Sequence, residues 1–150
     1  MRALLQRVRR ASVTVDGQTR GAIEGGLLVY LGVAAGDTEV DARYLAEKTR
    51  SLRIFEDATG KMNRSLADTQ GAVLAVSQFT LLADARKGRR PSYSRAAPAE
   101  TARALYGYYI EEIRRLGLSC EAGVFQARME VSSLNDGPVT ILLDSSSPSF

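Results

Sequence analysis

Two short segments hold the residues that could do chemistry in this chain: Ser77-Gln78-Phe79-Thr80-Leu81 and Asn135-Asp136-Gly137-Pro138-Val139-Thr140. Neither has a histidine to work with, because the sequence contains none, and its single cysteine is Cys120. A Ser-His-Asp triad, a Cys-His pair and an HExxH metal helix are therefore excluded. What remains is backbone N–H dipoles, hydroxyls, carboxylates, amines and whatever the substrate brings.

Ser77-Gln78-Phe79-Thr80 closes an apolar run at 72–79 that reads as a buried strand. At a strand end the last N–H groups leave the ladder and can face a ligand. Two such groups aimed at an ester carbonyl form an oxyanion hole, and losing one donor typically costs about 10²–10³ in rate. The Phe79 and Thr80 amides are the candidates. Thr80 as a nucleophile is the alternative, and it needs a base from Asp84, Lys87 or Asp136. The plainest account of Thr80 is a β-branched residue whose hydroxyl bonds to backbone, and of Phe79 a core side chain. Gly137-Pro138 reads as a turn between two strands. Only about 5–6% of X–Pro bonds in folded proteins are cis, so the sequence does not call this one cis.

The elements that must carry these segments are legible in outline. Residues 2–8 read as a strand, and Ser12-Val13-Thr14-Val15 alternates as a half-buried strand does. Asp16-Gly17 signals a hairpin returning through 18–24 to Gly25-Gly26. The run Leu27–Val33 suits a strand covered on both faces. Asp37 is the expected N-cap of a helix over about 38–53, followed by Ile54-Phe55 and a turn at Asp57–Gly60. A second helix is expected at about 98–116, with Pro98 in its first turn and Gly117 at its end. Its stripe Ala102, Tyr106, Tyr109, Ile113 and Leu116 is core packing. Strands at about 124–133 and 138–144 flank the second motif, and a frayed tail is expected over 145–150. The pattern predicts a single mixed α/β domain over 1–150.

A chain of 150 residues is one domain by length, burying about 68–70% of its unfolded surface. With 45% hydrophobic and 25% charged residues, it has the composition of an ordinary globular protein. No window approaches the about 20 apolar residues of a membrane span, and the N-terminus lacks a signal-peptide apolar core. A lone cysteine makes neither an internal disulfide nor a zinc site. These features predict a cytoplasmic protein with no membrane partner. The net charge is +3, but Arg86, Lys87, Arg89, Arg90 and Arg95 fall within ten residues around Gly88 and Pro91. Such a basic loop suits nucleic-acid phosphates, and equally a solvated surface.

The two motifs, in this order and in a chain of this length, resemble the signature pair of the D-aminoacyl-tRNA deacylases of the bacterial D-tyrosyl-tRNA deacylase type. The resemblance begins at Met1-Arg2-Ala3-Leu4-Leu5-Gln6-Arg7-Val8 and reaches the last strand. It implies stacked β-sheets with helices packed on one side, assembled as a homodimer with active sites at the subunit interface. It places Ser77, Gln78, Phe79 and Thr80 at the catalytic centre. It makes Gly137-Pro138 a Gly-cis-Pro that enters the partner subunit's site and rejects L-aminoacyl groups by collision with backbone. Arg7 would orient that loop, which Asn135 and Asp136 hold. Without the resemblance, Arg7 is a surface arginine on an edge strand.

By the same resemblance, Gly123–Met129 would hold the terminal adenosine of the tRNA, with Phe125 and Met129 as walls. Residue type alone would equally place both in the core of an ordinary strand. Arg90-Pro91-Ser92-Tyr93 matches a family segment that more often ends in Phe, so Tyr93 adds a hydroxyl at the pocket wall. Lys61-Met62-Asn63 also matches, without a role that its chemistry assigns. Arg86, Lys87, Arg89 and Arg90 would meet tRNA phosphates without reading sequence.

The expected function is hydrolysis of the ester of D-aminoacyl-tRNA, and of glycine mischarged on tRNA for alanine, because glycine has no side chain to reject. The 2′ hydroxyl of the terminal ribose would activate water, and no metal or organic cofactor is implied. Two rivals remain: a nucleic-acid-binding module without catalysis, and a small-ester hydrolase with Thr80 as nucleophile.

Overall fold

The computed structural model describes residues 1–147, and its backbone is organised by one long strand, β1 (Arg2–Val15). One edge of β1 pairs antiparallel first with β3 (Gly26–Gly32) and then with β2 (Gln18–Ile23). Its other edge pairs along most of its length with β8 (Glu130–Asp144). The sheet continues from β3 through parallel neighbours β6 (Ala72–Ser77) and β7 (Cys120–Ala122). Because β2 folds back, a Cβ placed on its Gly21 would lie 2.7 Å from the Ala122 carbonyl of β7. The stacked sheets implied by the resemblance are thus two parts of one nearly closed, barrel-like sheet.

That closure explains why the apolar runs do not alternate. Leu28, Leu74 and Val76 point into the barrel with Val8, Val13 and Ile23. Their neighbours Leu27, Val29, Leu31, Val73 and Ala75 point the other way, toward the helices. There α1 (Glu39–Ser51) and α3 (Ala99–Arg115) cover them with Leu45, Ala46, Tyr109 and Ile113. Tyr109 is wholly buried, and its hydroxyl meets that of Thr49 at 2.8 Å.

The hairpin at Asp16-Gly17 forms, with positive φ at both residues (51° and 74°). The two strands read at 2–8 and 12–15 are a single strand. The N-cap of α1 is Thr38, one residue beyond the expected Asp37. Asp37 is occupied elsewhere, accepting from the Met1 ammonium (2.7 Å) and the Ala34 amide (2.5 Å). Ile54-Phe55 leads into a small hairpin, β4 (Phe55–Glu56) and β5 (Met62–Arg64). A single turn of helix, α2 (Leu66–Thr69), capped by Ser65, precedes β6. Residues 124–129 are not strand, and β8 starts only at Glu130. The strand is also not broken at the second motif: β8 runs through Asn135–Pro138, absorbing the irregularity as register shifts opposite Gln6–Arg10. Ser145 is pinned rather than frayed, accepting from Met1 (2.6 Å) and donating to Asp41 (2.7 Å). Residues 148–150 of the expected tail lie outside the described residues.

Two glycines test this packing in opposite directions. A Cβ on Gly26, where β3 meets β6, would lie 1.9 Å from the Ala72 carbonyl oxygen, and its φ is +156°. Gly107 lies in mid-helix with open space around it. In urea denaturation, Gly26→Ala is expected to lose stability on the scale of a core truncation, about 2–5 kcal/mol. Gly107→Ala is expected to gain about 0.5–1 kcal/mol from helix propensity.

Candidate active site

At the end of β6 the chain leaves the sheet after one last bond, from the Gln78 amide to the Leu31 carbonyl (2.8 Å). It then makes a single 3₁₀ turn over Phe79–Leu82. The Leu81 and Ala83 amides close that turn onto Gln78 and Thr80 (3.2 and 3.1 Å). The amides of Phe79 and Thr80 come before the first bond of the turn, and among the described residues no acceptor takes either. They are the orphan donors that any helical start leaves behind.

The Thr80 hydroxyl accepts from the Gln78 side-chain amide, and among the described residues neither carboxylate nor amine is hydrogen-bonded to it. Of the bases considered for it, Asp84 holds Arg86 in a two-point ion pair (2.9 and 2.5 Å). The Arg86 guanidinium keeps the Asp84 carboxyl well below the usual carboxylate range. Asp136 faces Arg7 and Arg9, each at 3.3 Å, and Lys87 lies in the exposed loop.

Phe79 is 55% exposed rather than in the core, its ring edge-on to Tyr93 with centroids 5.1 Å apart. Ser77, Gln78 and Phe79 line a cavity of about 550 Å³ together with Ala96, Phe125 and Met129. Its size is ordinary for a small-molecule site. The loop that replaces the expected strand at 124–129 is what brings Phe125 and Met129 there. Ala96, Ala97 and Ala99 also line the cavity, and their residue type gave no signal of it. Nor did the sequence mark Arg103, whose guanidinium lies 4.6 Å from the Phe125 ring centroid.

Gly137 and Pro138 are not among the residues lining this cavity. They lie on β8 beside Arg7, joined by a cis peptide bond. Arg7 is only 5% exposed, so the surface reading of this residue is corrected. Its Nη1 donates to the Ile54 carbonyl (2.7 Å) and its Nε to the Asp136 carbonyl (3.2 Å). Asn135 Nδ2 donates to the carbonyls of Arg7 (2.9 Å) and Val139 (3.3 Å), closing the loop from the other side. A Cβ on Gly137 would lie 2.8 Å from Arg7 Nη2, and φ there is +118°, so glycine is required.

Lys61-Met62-Asn63 acquires a structural role here. Asp57 accepts from the Asn63 side chain (2.8 Å) and the Lys61 amide (3.1 Å), which closes the hairpin next to Ile54. The basic loop is tied at its base by paired backbone hydrogen bonds, each of Asp84 and Ser92 donating its N–H to the other's carbonyl (2.8 and 2.9 Å). Beyond that base, Arg86, Lys87, Arg89 and Arg90 are exposed, Arg86 already paired with Asp84.

Among the described residues no three His, Cys, Asp or Glu side chains gather as metal ligands would, and no helix is long and apolar enough to cross a membrane.

A family model described as D-Tyr-tRNA(Tyr) deacylase matches residues 4–144. Among curated relatives, "D-aminoacyl-tRNA deacylase" of Koribacter versatilis is 63% identical over 97% of both chains. The protein so named in Caldicellulosiruptor saccharolyticus is 59% identical with the same coverage. The chain belongs to the D-Tyr-tRNA(Tyr) deacylase family, a family of hydrolases. Among solved structures, "c-Myc DNA Unwinding Element Binding Protein" superimposes with a TM-score of 0.90 at 42% identity, covering 96% of this chain and 98% of that one. A structure titled as a probable eukaryotic D-amino acid tRNA deacylase shares the fold, with a TM-score of 0.83 at 18% identity, covering 95% and 97%.

Cys120 bears on the chemistry by what burial does to it. Desolvation pushes its thiol up to about 12, so at neutral pH it is protonated and a poor nucleophile. Thiol-reactive dye at pH 8 should label it slowly in the native protein and fully in urea. Equal rates in both would contradict this burial.

Proposed function

We propose that the protein hydrolyses the ester of D-aminoacyl-tRNA, releasing free tRNA and the D-amino acid. The observation that carries this reading is the pair of unpartnered amides, Phe79 and Thr80, beside a cavity walled by Phe125 and Met129. The cavity receives the terminal adenosine, and the two N–H groups receive the ester oxygen as it gains charge, where preorganised donors act most strongly. The 2′ hydroxyl of the ribose activates the attacking water, so no side-chain base is needed. The exposed cations Lys87, Arg89 and Arg90 meet the phosphates of the acceptor end.

Chirality is sensed by Gly137-Pro138. Within one protomer this loop does not line the cavity; the proposal has it act on the site of a second copy. The proposed interface includes β8, an edge strand that pairs only with β1 among the described residues and exposes Leu134 and Leu142 (43% and 47%). Such an edge invites pairing or cover. Backbone at the entrance rejects an L side chain, while a D side chain points away, and glycine passes as a further substrate on tRNA for alanine.

The test is deacylation of D-tyrosyl-, L-tyrosyl- and glycyl-tRNA by the pure protein with EDTA present. The D and glycyl esters should be lost quickly and the L ester spared. Thr80→Ala should keep most of the rate, because the backbone donor survives the substitution. A dead Thr80→Ala, with a trapped acyl-enzyme in the parent protein, would move the reading to covalent catalysis by Thr80.

A second reading is favoured by the structural relative titled as a DNA unwinding element binding protein. It makes this chain a nucleic-acid binder. Salt-dependent binding of RNA or DNA with no ester loss above buffer would establish that reading instead.

Arg7 allows a separate test of the chiral loop. Lysine keeps the charge but not the fork that reaches Ile54 and Asp136 at once. Arg7→Lys should remain folded in urea titration yet lower the D/L rate ratio by at least about tenfold, ~1.4 kcal/mol of discrimination. An unchanged ratio in a folded variant would remove the loop from chiral selection.

A further inference from the structure

Arg103 lies one turn of α3 beyond Ala99, which lines the cavity beside Ser77–Phe79. Its guanidinium stacks on Phe125 at 4.6 Å, and Nη2 donates to Gln126 Oε1 (3.2 Å). Gln126 holds φ at +63°, a left-handed conformation uncommon outside glycine. Phe125 also packs on Tyr106, with ring centroids 5.9 Å apart, and the Tyr106 hydroxyl donates to the Ala75 carbonyl (2.8 Å). A stacked column thus runs from the exposed cation to β6, the strand that ends in Ser77.

The guanidinium is oriented but not consumed. Among the described residues no carboxylate pairs with Arg103. One hydrogen bond, to Gln126, leaves most of its five N–H groups available. A planar fork of that kind matches a phosphate oxygen pair better than it matches a lone carbonyl. The anion such a residue would meet follows from the substrate. In an aminoacyl-tRNA the amino acid's carboxylate is esterified, so the remaining anion next to the terminal nucleoside is the phosphate on its 5′ oxygen.

We propose that Arg103 binds the phosphate 5′ to the nucleoside that Phe125 and Met129 hold, fixing the acceptor end in register with the Phe79 and Thr80 amides. This inference rests on the deacylase reading of the cavity. It gives the nucleoside wall a second function: Phe125 lines the cavity and carries the cation that reads the adjoining phosphate. Arg103 binds substrate and takes no part in bond cleavage.

Calorimetric titration with adenosine and with 5′-AMP tests it. The wild-type protein should bind 5′-AMP about three- to fivefold more tightly than adenosine, the upper range for an ion pair at an exposed site. In Arg103→Ala that preference should vanish while adenosine affinity changes less, and Arg103→Lys should recover part of it. KM for D-tyrosyl-tRNA should rise in Arg103→Ala by a similar factor, with kcat little changed. Equal weakening of both ligands would reduce Arg103 to a prop for Phe125 and overturn the inference. So would a 5′-AMP preference that survives in Arg103→Ala. A wild-type preparation that cleaves D-tyrosyl-tRNA yet shows no preference for 5′-AMP overturns this inference alone. One that cleaves nothing overturns the reading beneath it.

Discussion

A guanidinium taken out of water must find partners for its charge and its donors, and Arg7 finds them on two segments at once. It sits on β1, reaches Ile54 ahead of the small hairpin, and holds the backbone and side chain of Asp136 on β8. Because β1 also pairs with β2, β3 and β8, the strand that carries Arg7 is the one every other part of the sheet refers to. Moving the Gly137-Pro138 loop would break a buried charge contact and shift the strand that the barrel is built around. That is why a loop of polar and conformationally free residues can hold one shape. Glycine is needed there for the same reason, since Arg7 Nη2 occupies the space a Cβ would take.

The turn after β6 is equally dependent on backbone. Phe79 and Thr80 offer N–H groups because a strand ends and a tight turn begins between them and Gln78. Donors of this kind need no titration and no tuned pKa. They depend on packing, and here the packing is dense: Val73, Leu74, Ala75 and Val76 are all buried, facing alternately the helices and the barrel interior. A chain without histidine can stabilise charge in a transition state when its donors are held this rigidly.

What the sequence disclosed follows the same physics. Local signals were sound: the Asp16-Gly17 hairpin, the doubly covered run at 27–33, the helix from Pro98 to Gly117. Each depends on periodicity or on turn chemistry within a few residues. The misplaced features involve partners far along the chain. Asp37 looked like a cap and is held by Met1 and Ala34. Residues 124–129 looked like strand, yet they turn back as a loop to wall a cavity with the end of β6. Arg7 looked exposed because nothing near it in sequence announces Ile54 or Asp136. Residue type alone put Phe79 in the core, whereas more than half of it is open beside Tyr93.

The two motifs that dominate the sequence lie apart in the single protomer: one faces the cavity, and the other faces Arg7 along β8. On the proposed reading, a rigid selector and a rigid set of donors lying apart on one subunit act together through a neighbouring copy that supplies the missing half. The division has a physical merit. A selector on the same strand as the donors would move with them, and any fluctuation that opened the site would also relax the filter. In the proposed arrangement a filter mounted on β1 and β8 and offered to another subunit would keep its shape whatever the cavity does, and rate and chiral discrimination would be governed by different contacts.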